Sequence, residues 1–288
     1  MDYLILRLLC SFLSGVLLSQ SGSLIQLGTR NILASPSTLG IDGMAILWLI
    51  LFHSLALVMG TSSPLPGIML GLPIFVILGL SFARIVKSEV NLERVILLGL
   101  TFNLLVGAIF SIWQFFFLAF NLPFPVEVWF GHFRFADQSS LLGLLLAEVL
   151  LLLGYQIFRK PILLYSLGQG IATNYQLNHK KLYTFFFVAA VLATYAVVSF
   201  FGAFSFLGLI FPVVARKLLF KKWDLPGEII WGSLLNGIVL MSIDFLCYQY
   251  PIMGAEVPVG LLVTAIGAVS LIMLLWLSKD RSQLLAKH

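Results

Sequence analysis

The sequence predicts an all-α polytopic membrane protein, a bundle of nine transmembrane helices. Three observations carry that reading: the composition, the lengths of the apolar runs and the placement of the basic residues. Of 288 residues, 60% are apolar and 10% charged, and the mean hydropathy is +1.05. Water-soluble domains carry about 25% charged residues. A helix crossing the hydrocarbon core needs about 20 mostly apolar residues, so nine spans use roughly 180 positions and leave about 100 for loops. That remainder is too little for a separate catalytic or nucleotide-binding domain. The energy for any transport therefore comes from a gradient or from a partner.

Apolar runs punctuated by polar residues, Gly or Pro place the spans at 4–27, 41–60, 65–84, 94–118, 138–158, 182–201, 205–220, 227–248 and 257–278. The first run does not read as a secretory signal peptide. Asp2 sits in the would-be basic region, the run is long, and no small-x-small cleavage site follows it. Only the residues around Gly202 separate the sixth and seventh runs, and the seventh is short. Residues 190–220 thus read either as two spans or as a hairpin or re-entrant segment, since broken backbone is tolerated at membrane depth where protein surrounds it.

Alternating loops put every one of the 17 basic residues except Arg7 and Arg134 on one side. Lys and Arg accumulate in cytoplasmic loops, so the amino terminus is expected outside and the carboxyl terminus inside. The same bias explains the net charge of +5 without nucleic acid. Two loops stand out. Residues 159–181 form the longest inner loop, and 119–137 mix Pro, Trp and Phe around Glu127, His132 and Arg134. The outer segment is expected to be a short amphipathic helix at the membrane interface, its aromatic rings acting as anchors.

Few polar side chains fall inside the runs. His53, Glu148 and Asp244 are ionisable, and Asn103, Gln114 and Asn236 are neutral. Intramembrane ionisable groups are functional candidates by default, but two distant carboxylates make a poor ion relay. Glu148 is expected to face a neighbouring helix or a partner subunit. The chain has no paired-aspartate diphosphate motif, no HExxH and no Gly-x-Ser-x-Gly. Four scattered histidines imply no metal site. Cys10 and Cys247 lie in apolar runs and are expected to be packing residues. No enzymatic activity is expected.

Three blocks take the reading further. The stretch 15–43 carries Ser21, Gly22, Gln26, Arg30, Asn31, Leu33, Ala34, Pro36, Leu39 and Gly40. In this order they resemble the signature of permease subunits from ATP-binding-cassette importers for iron chelates, haem and cobalamin. Leu167, Gly168 and Ala172 resemble that family's cytoplasmic Leu-Gly-x-x-x-Ala loop. Gly202, Phe206, Gly208, Leu209, Pro212 and Arg216 resemble its Gly-x-x-x-Phe-x-Gly-Leu-x-x-Pro-His-x-x-Arg motif, and Asp244 with 256–260 resembles a further Asp and Glu-Leu-Pro-x-Gly segment. The likeness covers essentially the whole chain, 1–288, as one transmembrane permease domain. Departures are Ile32 for Pro, Gln169 for Glu, Val213 for His and Val269 for Pro. Family members usually have ten spans with both termini inside, and this chain starts where their second span starts, which accounts for the odd count.

The resemblance implies partners: a second permease subunit, two cytoplasmic ATPases that hold the ATP and magnesium, and an extracytoplasmic substrate-binding protein, all at a bacterial cytoplasmic membrane. No cofactor is implied in this chain. It assigns ATPase coupling to 159–181 through Leu167, Gly168, Gln169 and Ala172. It assigns binding-protein docking to Arg7, in the place of a family arginine; Arg134, the other basic residue on that side, is a candidate second contact. The pathway is expected along the fourth span, through Asn103 and Gln114, with a cytoplasmic gate near Asn91 and Glu93. Few fixed charges along a wide apolar passage suit a bulky chelate, whereas bare zinc or manganese ions call for carboxylate or His ligands. Metal-ion permeases of similar length are the alternative, and an ion-coupled secondary transporter stands behind them.

Overall fold

The computed structural model describes residues 3–59, 65–87, 92–120, 129–166, 178–219, 225–252 and 254–285. Among the described residues the secondary structure is nine α-helices and one isolated bridge between Ile252 and Ala255. They are α1 (Tyr3–Thr29), α2 (Ile41–Met59), α3 (Leu65–Lys87), α4 (Leu92–Ala119), α5 (Gln138–Ser166), α6 (His179–Phe201), α7 (Leu207–Leu219), α8 (Leu225–Gln249) and α9 (Val259–Leu285). Six are long and apolar enough to cross a membrane: α1, α3, α4, α5, α6 and α8.

α1 runs antiparallel to α6 and α8 and parallel to α5, which gives the bundle two ends. At the first, Arg7 near the start of α1 meets Asp244 near the close of α8, and the His132 N–H donates to the Phe201 carbonyl at 2.8 Å where α6 stops. At the second, Arg30 just past α1 meets Tyr165 of α5, whose hydroxyl lies 3.0 Å from that of Tyr183 in α6. Arg84, Arg159, Lys160, Lys180, Lys181 and Arg216 belong to the helix termini at this second end.

The first helix is the hub. It packs against α5, α6, α7 and α8, and every residue from Ser14 to Thr29 is buried. Small residues make this possible. In lipid, helices associate by close packing rather than by a hydrophobic driving force, and α1 offers Ser14, Gly15, Ser19, Ser21, Gly22 and Ser23 to its neighbours. A Cβ on Gly15 would collide with the Asn236 backbone, and one on Gly22 would overlap the Gly208 carbonyl.

Within residues 190–220 lie the end of α6 and the short α7. With 13 residues, α7 is about 20 Å long, short of the roughly 30 Å hydrocarbon core. It starts beside Leu18 and Gly22, halfway along α1. The link from α6 turns through Gly202 at φ +81° and Phe206 at φ +70°. Gly202 takes the left-handed region without a Cβ penalty, whereas Phe206 is an outlier for a bulky residue. Its carbonyl accepts the N–H groups of both Leu209 and Ile210 at 3.0 Å, opening α7.

Both conspicuous loops differ from expectation. Residues 159–166 are the last turns of α5, running through Pro161, and α6 begins at His179, capped by the Asn178 side chain on the Lys181 N–H. Pro161 follows an already helical run, so the sequence rule that Pro ends a helix placed the boundary too early. At the first end, residues 121–128 lie outside the described residues. Beyond them Trp129 stacks on Phe110 at 4.4 Å, and Phe133 is wholly buried between Phe201 at 4.7 Å and Phe204 at 5.1 Å. The Phe133 ring packs within protein, while Trp129 is half-buried. Cys10 and Cys247 are buried free thiols, as expected.

Asp137 caps α5. Its carboxylate accepts the Ser140 N–H at 2.8 Å and the Ser139 hydroxyl at 2.6 Å. Partial burial raises its pKa, but these hydrogen bonds outweigh burial and hold it below the usual carboxylate value.

Two measurements check this packing. Gly22→Val is expected to destabilise the detergent-solubilised protein by about 3 kcal/mol, while Gly107→Ala, where a Cβ meets only Trp129 at ordinary contact, stays within about 1 kcal/mol of the parent. Thermal unfolding reads both. Asp137→Ala is expected to cost about 1 kcal/mol at neutral pH. A lowered folded-state pKa stabilises above the unfolded value and is lost as pH falls through the folded one, so this penalty should shrink below about pH 4.

Candidate functional site

A ladder of polar side chains runs the length of α1, and each rung binds a different neighbour. The first rung is Arg7, 1% exposed. Its Nη2 donates to Asp244 Oδ1 at 2.7 Å, its Nε to both Asp244 oxygens at 3.0 and 3.1 Å, and its Nη1 to Glu256 Oε2 at 2.7 Å. The guanidinium also lies 5.0 Å from the Tyr248 ring centroid. A charge of this kind is tolerated out of water only when paired and hydrogen-bonded throughout, and the planar guanidinium meets that demand with a fork onto one carboxylate and a third nitrogen onto another.

This corrects the expectation for Arg7. Its donors are committed inside the bundle and its side chain has no solvent face, so it offers no contact to a docking protein. Arg134 is exposed, and its carbonyl accepts the Tyr3 hydroxyl at 2.7 Å.

Midway, Gln20 donates to Glu148 of α5 at 2.9 Å. Glu148 thus faces a neighbouring helix, the first of the two partners foreseen for it. Ser21 donates to the Ala190 carbonyl of α6 at 3.0 Å and lies 2.8 Å from the Thr194 hydroxyl. Asn236 of α8 donates to the Gly15 carbonyl at 2.6 Å. Two turns on, Gln26 donates to the Leu209 carbonyl at 3.1 Å, and Arg216 donates to Gln26 Oε1 at 3.2 Å. Two motif blocks separated by some 180 residues in the chain are therefore one structural unit, in which Gly22 seats against Gly208 and Pro36 lies beside Gly208.

At the second end Arg30 takes φ +52° to leave the helix. Its guanidinium lies over the Tyr165 ring at 4.6 Å, and its Nε donates to the Tyr165 hydroxyl at 3.1 Å. The Asn31 side chain accepts the Leu33 N–H at 2.9 Å, shaping the turn. The loop then passes Pro36 to Gly40, where φ is +78° and the chain meets Gly99 of α4. Asn103 of α4 donates to the Ser37 carbonyl, so this expected pathway residue is tied to the motif loop.

Gln114 is half-buried on α4. Glu93 lies in the first turn of α4, while Asn91 and the expected coupling residues Leu167, Gly168, Gln169 and Ala172 fall outside the described residues. His53 is in α2. Much of α4 presents exposed apolar side chains, including Leu97, Leu98, Leu104, Leu105, Ile112 and Phe115. Among the described residues no group of three His, Cys, Asp or Glu converges as a metal site.

Sequence reasoning missed Gln20, Tyr165, Tyr183 and Tyr248 as partners, and paired neither Arg7 with Asp244 nor Gln26 with Arg216. Only the spacing of polar positions along α1, one on almost every turn of an otherwise apolar helix, pointed to a helix surrounded by protein.

Arg7→Ala is expected to destabilise by about 3–5 kcal/mol, because Asp244 stays buried without its counter-charge. Adding Asp244→Ala should recover part of that loss, and a double-mutant cycle read by thermal unfolding measures the coupling.

The comparisons with known proteins agree with this arrangement. The profile of the FecCD transport family matches residues 1–277. The permease protein FepG of the ferric enterobactin transport system of Escherichia coli is 24% identical over 93% of this chain and 79% of its own length. FhuG of the iron(3+)-hydroxamate import system of Bacillus subtilis is 28% identical over 93% and 81%, and BtuC of the vitamin B12 import system of Salmonella typhimurium is 28% identical over 93% and 81%. Among solved structures, an inward-facing metal-chelate type ABC transporter aligns with a TM-score of 0.69 at 22% identity, over 94% of this chain and 85% of that one. PsaBC from Streptococcus pneumoniae aligns at 0.59 and 16%, over 94% and 91%. A profile match over nearly the whole chain, carried by a bundle whose motif residues bind one another, makes this chain a multi-pass membrane permease of the FecCD transport family.

Proposed function

We propose that this chain is the translocating subunit of an ATP-binding-cassette importer for an iron chelate, a ferric siderophore ahead of haem or cobalamin, in a bacterial cytoplasmic membrane. The observation that carries the reading is the family match over residues 1–277, supported by relatives named for enterobactin, petrobactin and hydroxamate import. The second end, where Arg84, Arg159, Lys160, Lys180, Lys181 and Arg216 gather, is the cytoplasmic one by the positive-inside rule.

In this reading two permeases enclose the pathway, with the exposed apolar face of α4 turned toward the partner subunit. Two ATPases, with ATP and magnesium, engage the segment containing Leu167, Gly168, Gln169 and Ala172. Closure of the ATPases moves α5 and α6, which flank that segment, and the α1 ladder carries the displacement to α7 and α8 as a rigid unit. Asn91, Glu93, Asn103 and Gln114 lie along α4 and its approach, where the gate and pathway belong. The binding protein docks at the first end, and Arg134 is the basic residue exposed there. Few ionisable groups favour a bulky chelate over a bare metal ion. The likeness to PsaBC keeps a metal-ion importer as the second reading.

Three outcomes test this. Vesicles carrying this chain with its permease partner, ATPase and binding protein should accumulate ferric siderophore on ATP addition and not on imposing a proton gradient; the reverse pattern would make it a secondary transporter. Replacing 166–173 should abolish co-purification with the ATPase. Arg134→Glu should weaken binding-protein docking roughly threefold to fivefold, an effect that fades as salt rises.

A further inference from the structure

The helices α3 and α5 both pack on α6 and leave a groove between them. Its floor is α6, through Thr184, Val188, Ala189, Leu192 and Ala196, and Leu146 and Leu150 of α5 line one wall. The cavity volume is about 830 Å³. Lining residues on α6 run from Lys180 to Phe200, a length of about 30 Å at 1.5 Å per residue.

Polarity is distributed unevenly along it. Asn178, Lys180, Lys181 and Thr184 line the second end. Away from that end the sole polar lining residue is Tyr195, and its hydroxyl donates to the Ile68 carbonyl at 3.0 Å. No acidic side chain lines the groove, and neither lysine is ion-paired to a described residue. The Asn178 side chain accepts the Lys181 N–H and its carbonyl the Leu182 N–H of the α6 N-terminus, whose remaining backbone donors and dipole favour an anion.

We infer that this groove binds an anionic phospholipid, its phosphate held by Lys180 and Lys181 and its acyl chains lying on α6 between α3 and α5. Basic pockets between membrane helices recognise such headgroups. The charge at one end alone matches a headgroup, and the apolar remainder of the trough matches hydrocarbon chains. The site is separate from the α1 ladder and does not depend on the cargo.

The experiment is lipid retention by the purified permease, measured by native mass spectrometry after exchange into mixed phosphatidylglycerol and phosphatidylcholine micelles. Each lysine near a membrane surface contributes roughly a fivefold preference for the anionic headgroup, so the parent should retain phosphatidylglycerol about twentyfold over phosphatidylcholine. Lys180→Ala with Lys181→Ala should abolish the preference, the paired Arg replacements should keep it, and Lys217→Ala, on α7 away from the groove, should leave it unchanged. Ala196→Phe, which fills the trough, should lower retention of both lipids. No preference in the parent, or a preference that survives loss of both lysines, overturns the proposal. So does efficient disulfide formation between copies bearing Leu146→Cys, which would place a second polypeptide in the groove.

Discussion

Everything in this bundle rests on the requirement that α1, surrounded by four other helices, find protein partners for the long polar side chains it carries, Arg7, Gln20 and Gln26. Lipid supplies no hydrogen bonds, so a helix with Arg7, Gln20, Ser21 and Gln26 is stable at the centre only if its neighbours answer these side chains. They do so from different directions: Asp244 and Asn236 from α8, Glu148 from α5, Thr194 from α6, Leu209 and Arg216 from α7. Each bond is worth little alone, about 1 kcal/mol. Their joint effect is to fix rotation and depth, because a slip of one residue along α1 would break several at once.

The small residues belong to the same constraint. Hydrogen bonds between side chain and backbone, such as Asn236 to the Gly15 carbonyl, require backbones in near contact. Gly15 and Gly22 of α1, with Gly208 and Gly237 opposite them, provide that approach. The half-length α7 fits the same logic, since an interrupted backbone at mid-bundle is viable only when its freed groups are met by α1. The strained Phe206 at its start is held by packing against Gly267 of α9. The result is a core in which α1 and the helices bonded to it are fixed against one another.

The contrast between Arg7 and Arg134 shows how far sequence reading reaches. Both lie at the same end of the bundle and both were expected to face outward. Arg134 does, on an irregular segment, while Arg7 is sealed between α8 and the strand-like turn after it. A linear sequence gives the depth of a charge along its helix but not the direction it faces. Asp244 and Glu256, which decide the matter, stand 237 and 249 positions away. Similarly, Pro161 marks a helix end by local rules, yet α5 continues through it, and Phe133 reads as an interface anchor yet is wholly buried.

What the sequence determined by itself was the class and the spacing of the parts: an all-helical membrane bundle, the approximate extent of the long spans, the side on which basic residues gather, and the motif positions that mark the family. These follow from composition and from one-dimensional periodicity, both of which act locally along the chain. Only the tertiary structure decided that the Ser21–Gly40 and Gly202–Arg216 blocks form a single unit, that α7 is a half-helix, that Arg7 is a structural ion pair, and that α3, α5 and α6 leave a groove edged with lysines. Those are facts of rotation and proximity between helices, set by close packing and by the need to pair polar groups where no water is present.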